Sequence, residues 1–227
     1  MRLTIYPWLG KEFVALSAEG KSGLSPDQAA AGLLARFDAA LKEHGLSLEN
    51  TVRSRLWGRD RAARDGGSGQ RVKLLSGKAR SASSSFIAPA HFESEGGVAL
   101  DLLAMRPSTA GAQKTLKEYE PPIVPLRYLV YDGVVILSGV THDQGSLDDQ
   151  LQNILPRISG SLADAGTSWA KAVRMSCYLH RSQPLDDLRS GLARVLGSDL
   201  PANAEYEFVD GYSSPGKLIE IEVTATI

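Results

Sequence analysis

Cysteine is almost missing: Cys177 is the only one in 227 residues. A single thiol excludes an intrachain disulfide and any cysteine-rich zinc or iron–sulfur site. Long apolar runs are missing too. The longest span a few residues, as in Val134-Val135-Ile136-Leu137, far short of the roughly 20 that a membrane-crossing helix needs. The opening Met1 to Pro7 has neither the apolar stretch nor the small-residue cleavage site of a secretory leader. The expected setting is cytoplasmic, away from membranes. An excess of one charge is absent as well: 25 Lys+Arg oppose 26 Asp+Glu, leaving −1, which argues against bulk attraction to nucleic acid. The four histidines, His44, His91, His142 and His180, lie far apart. No pair has metal-ligand spacing on one element, so no metal is expected. Gly20-Lys21-Ser22 resembles the end of a phosphate loop, but Ala15 stands where its first glycine belongs. No Gly-x-Ser-x-Gly elbow occurs, and no cofactor is expected.

What is present is a repeat. At a constant offset of 121 residues, Ser17 falls on Ser138, Ser25 on Ser146, Leu33 on Ile154, Leu34 on Leu155 and Arg36 on Arg157. The same offset takes Leu41 to Leu162, Gly45 to Gly166, Val52 to Val173, Arg53 to Arg174 and Asp101 to Glu222. A long gap-free register with matched apolar phase marks a tandem duplication.

In the second copy, residues 126–131 and 134–137 form strands around an Asp132-Gly133 turn. Ser146, Asp148 and Asp149 start a helix, with acids at the positive end of its dipole. Leu151, Ile154, Leu155, Ile158 and Leu162 follow at helical spacing up to Gly166, with Pro156 expected to kink the pattern. Residues 172–179 form a strand and Leu185 to Leu196 a second amphipathic helix. Residues 205–209 and 218–226 are the closing strands. The first copy repeats this with strands in 3–17, a helix over 26–44, and strands at 52–57, 81–87 and 98–105. Its second helix is expected to break at Asp65-Gly66-Gly67-Ser68-Gly69, leaving only 71–75 helical. The domain boundaries are therefore 1–106, a Pro-punctuated linker at 107–122, and 123–227. The order implies an α+β fold, each domain a mixed sheet with two helices on one face. Arg174, Ser176 and Tyr178 alternate against Val173, Met175 and Cys177, so the apolar set faces the helices and the sheet's other face requires a partner.

The second copy resembles the YjgF/Rid (reactive intermediate deaminase, endoribonuclease L-PSP-like) family. The resemblance is carried by Val135-Ile136-Leu137-Ser138-Gly139, by Leu162-Ala163-Asp164-Ala165-Gly166-Thr167-Ser168, by Ala172 to Leu179, and by Ile219-Glu220-Ile221-Glu222-Val223. It implies chorismate-mutase-like domains, a homotrimer, and cofactor-free hydrolysis of enamines or imines to a keto acid and ammonia. It also implies an arginine that holds a substrate carboxylate and a glutamate on the last strand that positions water or moves a proton.

The family's arginine segment is matched by Lys78-Ala79-Arg80-Ser81, and in the second copy by Pro201-Ala202-Asn203-Ala204, where Asn203 replaces the arginine. The glutamate is matched by Glu220, while Ala99 stands at its place in the first copy. Catalysis is thus assigned to Glu220 and Arg80, and binding of a small carboxylate to Arg80, Ser138, Gly139 and Asn203. The expected site is an interdomain or intersubunit cleft. The alternatives are a non-catalytic ligand-binding or scaffold protein, and an RNA-binding endoribonuclease. The last would use Arg53, Arg55, Arg59, Arg61 and Arg64 with Trp57 as a stacking track. The competing reading puts Arg53, Arg55 and Trp57 on one strand face and leaves the other arginines as solvated loop charges. Cys177 falls in an apolar alternation and is expected to be buried and inert. Trp169 and Leu48 align in the repeat as core.

Overall fold

The computed structural model describes residues 1–227. The chain divides into two units, Met1–Lys114 and Thr115–Ile227. The first unit runs β1 (Arg2–Trp8), β2 (Lys11–Glu19), α1 (Pro26–Glu43), β3 (Thr51–Gly58), α2 (Arg61–Leu74), β4 (Ala82–Ile87) and β5 (Val98–Arg106). The second runs β6 (Thr115–Lys117), β7 (Tyr128–Tyr131), β8 (Val134–Leu137), β9 (Val140–Thr141), α3 (Leu147–Asp164), β10 (Ala172–His180), α4 (Leu185–Leu196), β11 (Ala204–Val209) and β12 (Ile219–Thr226). Helices α1 and α3 occupy the same span at the 121-residue offset, and so do the 3₁₀ turns Leu48–Asn50 and Trp169–Lys171.

The sheet orders are β1-β2-β5-β3-β4 and β11-β10-β12-β8-β7-β6, with β9 also on β12. In each, one parallel pair (β3 with β4, β10 with β11) interrupts an otherwise antiparallel sheet. A parallel pair needs a crossover, and α2 and α4 supply it. The hairpins close through Leu9-Gly10 and Asp132-Gly133, all four with left-handed φ. That is the turn whose twist suits a two-residue hairpin. Ser146 caps α3 reciprocally: Asp149 N donates to Ser146 Oγ (3.3 Å) and Ser146 N to Asp149 Oδ2 (2.8 Å).

Both helices of each unit cover one sheet face. In the second unit Leu151, Ile154, Leu155, Ile158 and Leu162 pack with Met175, Cys177, Leu179, Ile221 and Val223. In the first, Leu33, Leu34, Phe37 and Leu41 pack with Leu56, Leu100 and Leu102. Trp169 belongs to one core and Leu48 lies against the other, as the repeat requires.

One local feature differs from expectation, and two others accompany it. The second helix of the first unit is complete. Gly67 stands at the repeat position of Leu188, and a Cβ there would lie 3.0 Å from Leu56 Cδ1 and 3.1 Å from Val98 Cγ2. Here glycine permits close approach of helix to sheet rather than ending the helix. The cost of interior glycines, roughly 1 kcal/mol each, is opposed by two anchors. Asp60 accepts the Ala63 N–H (2.8 Å) as N-cap, and buried Arg71 donates to Ser84 O (2.5 Å), Ser54 O (3.3 Å) and Ser85 Oγ (2.8 Å). Second, the stretch read as linker contains β6, which pairs with β7. Third, α3 continues through Pro156. That residue lies on the exposed side, where the carbonyl lacking a donor can reach water.

Candidate functional site

The sheet register tests the motif alignment. Ser54 pairs with Ser83 in the first unit and Met175 with Ala204 in the second, so the offset of 121 holds through β4 and β11. The turns before these strands depart from that offset, Gly77–Ala79 preceding β4 and Gly197–Asp199 preceding β11. Arg80 ends the 3₁₀ turn before β4 and is half-buried; Asn203 is an exposed turn residue before β11.

The same register confirms the equivalence of Ala99 and Glu220: Ala99 lies opposite Trp57, and Glu220 opposite Tyr178. Position 82 aligns with Arg53 and position 99 with Trp57, four residues apart along β3, or about 13 Å at 3.3 Å per residue.

Ser138, Gly139 and Glu220 do converge. β8 and β9 are one strand interrupted by a bulge: Ile136 pairs with Thr224, but Val140 pairs with Ile221. Leu137, Ser138 and Gly139 face only Val223 and Glu222 across it, so one residue is extra. β2 has no such bulge against β5. The bulge ends beside Glu220, whose partner on β9 is Thr141. Glu220 is 6% exposed and Glu222 1%, so both carboxyls stand on a desolvated face.

Around Glu220 are groups that motif matching passed over. Arg157, on α3, donates from Nη1 to the Thr141 carbonyl (2.9 Å) and to Asn153 Oδ1 (3.3 Å). The Tyr119 phenol lies beside this guanidinium and within the field of Glu220. Burial raises its pKa, opposed by Arg157 and Arg127 and reinforced by Glu220. Buried Tyr212 donates to Tyr178 O (2.7 Å) and also senses Glu220, its pKa raised chiefly by burial. Arg157 had a sequence signal, since it is one of the identities carrying the repeat. Tyr119 had none, because it falls in the presumed linker.

The equivalent end of the first unit has other chemistry. Trp57 donates to Asp101 Oδ2 (2.8 Å) and stacks on His91 at 4.1 Å between centroids, where the second unit has Tyr178, Glu222 and Tyr212. The arginine run does not form a track. Arg53 is buried on the strand face it shares with Arg55 and Trp57. Arg59 holds the Ser94 and Gly96 carbonyls and lies 4.8 Å from the Phe92 ring centre. Arg61 and Arg64 belong to the first turn of α2 and pair with Asp65, so the loop placement of these last two is corrected. Cys177 is buried, its thiol pushed up to about 12 by desolvation, which leaves it protonated and inert. No helix is long and apolar enough to cross a membrane.

No family model matches the chain and no curated protein matches its sequence. Solved structures do. A chorismatase superposes over 95% of this chain and 75% of its own, at 18% identity and a TM-score of 0.65. The two share a fold. A YjgF/YER057c/UK114 family member from Mycobacterium tuberculosis covers 51% of this chain and 100% of its own, at 24% identity and a TM-score of 0.44. A Rid family protein from Yersinia pestis covers 50% of this chain and 99% of its own, at 20% identity and a TM-score of 0.46. The YjgF/Rid neighbours thus each span about half of the chain, and the chorismatase nearly all of it.

Proposed function

We propose that the chain is a two-copy protein of the YjgF/Rid type that binds a small carboxylate-bearing metabolite and hydrolyses it as an enamine/imine deaminase. The observation that carries this reading is the desolvated Glu220 carboxyl at the Ser138-Gly139 bulge. A carboxylate held there acts as general base: it takes a proton from water as the oxygen adds to the imine carbon. Its conjugate acid returns that proton to the nitrogen, giving a carbinolamine; the same carboxylate then takes the hydroxyl proton and passes it to the nitrogen, which leaves as ammonia as the C–N bond breaks and the carbonyl forms. The Ser138 N–H donates to Arg127 O (3.3 Å), so the N–H that the bulge offers beside the reacting centre is that of Gly139. Arg80 is the carboxylate ligand that the family resemblance supplies and Asn203 a neutral polar contact. The chorismatase, which its name says acts on chorismate, supports the choice of a small carboxylate substrate at the level of fold alone.

The test is ammonia release from an imino acid generated in situ by an amino-acid oxidase. Wild type is expected to accelerate release, and Glu220→Gln to lose about 10²–10⁴-fold, the usual worth of general acid–base catalysis. Absence of acceleration by wild type overturns the catalytic reading and leaves a ligand-binding scaffold.

A further inference from the structure

We infer that Arg157, on the same unit and with Tyr119 beside it, is a further anion-binding group of the Glu220 site that grips the ligand's carboxylate. This rests on the reading of Glu220 as the centre of the site, and it names a further cation that serves it.

The geometry is local. Arg157 is tied by Nη1 to the carbonyl of Thr141, and Thr141 is the direct cross-strand partner of Glu220. Such partners have Cα atoms about 4.5–5.5 Å apart. Thr141 is itself fixed, its Oγ1 donating to Ile219 O at 3.1 Å. The guanidinium has five N–H donors. Two on Nη1 go to Thr141 O and Asn153 Oδ1, and one suffices for Tyr119. Two remain for a carboxylate, the number a bidentate pair uses. Arg157 is solvent-exposed while Glu220 is buried. A small carboxylate gripped at the rim would therefore point its other end inward at the carboxyl that handles protons. Tyr119 adds a phenol whose pKa is raised by burial, so it stays a neutral donor at neutral pH.

The first unit shows what the site loses without its acid. Arg36 stands at the repeat position of Arg157, but Ala99 replaces Glu220. The first unit thus keeps the arginine at this helix position and lacks the carboxylate.

The experiment is a titration of the intact chain with pyruvate, a small 2-oxo acid of the product class, followed by ligand-observed NMR. It compares wild type, Arg157→Ala, Arg157→Lys, Tyr119→Phe and, as a control outside the site, Arg64→Ala, whose side chain pairs with Asp65, with circular dichroism to show that each variant is folded. Arg157→Ala is expected to weaken pyruvate binding about tenfold or more, in line with loss of a charge-assisted pair. Arg157→Lys should restore part of the affinity, and Arg64→Ala should leave it unchanged. If folded Arg157→Ala binds as wild type does, the Arg157 anchor is wrong while the Glu220 site stands. If wild type itself does not bind, the Glu220 reading falls and the anchor with it.

Discussion

Lys114 offers a sharp test of the first unit's physics. Its Nζ donates to the backbone carbonyls of Thr51 (2.9 Å) and Arg80 (3.0 Å), clamping the start of β3 to the turn that carries Arg80. Burial lowers its pKa from 10.5 to about 8, with Glu49 pulling the other way. The folded form therefore releases a proton that the unfolded chain still holds between about pH 8 and 10.5. Stability contributed by Lys114 is fully present above pH 10.5, falls as the pH drops through this window, and is lower by a constant amount below about 8. At about 1.4 kcal/mol per pH unit the whole span is about 3 kcal/mol, nearer 2 once the partly solvated position of the ammonium is allowed for. The perturbation is Lys114→Met, compared with wild type by urea unfolding at several pH values and monitored by tryptophan fluorescence. Wild type should gain on the variant by about 1–2 kcal/mol between pH 7.5 and 9.5. The carbon resonance next to Nζ should titrate near pH 8. A stability difference that stays flat across this range, with titration above pH 10, would refute the argument.

Two further outcomes follow from packing and assembly. Gly67→Leu restores the residue found at the same repeat position of the second unit, but puts it against Leu56 and Val98, both fully buried. Overpacking should cost about 1–3 kcal/mol despite better helix propensity, and an unchanged denaturation midpoint would show that α2 does not sit as close as described. The family resemblance leads us to propose a homotrimer, so light scattering should give three times the 24.3 kDa chain mass; a mass of one chain would exclude it.

The duplication, the α+β class and most element boundaries were determined by sequence alone, because they rest on periodicity that repeats at one offset. The spans of α1 and α3 coincide under it, and β3, β5, β10 and β12 follow the apolar alternation. Glu220 was also legible, since a strand register carries one position to another without knowledge of packing. The second helix of the first unit was not legible. Local propensity counts Gly66, Gly67 and Gly69 as breaks, whereas Leu56 and Val98 pressing against Gly67, and Arg71 reaching the strand carbonyls, are contacts distant in sequence. Arg157 and Tyr119 came to Glu220 only through tertiary structure. A helix face, a stretch between the copies and a strand end share no periodicity, and only the fold of the second unit places them side by side.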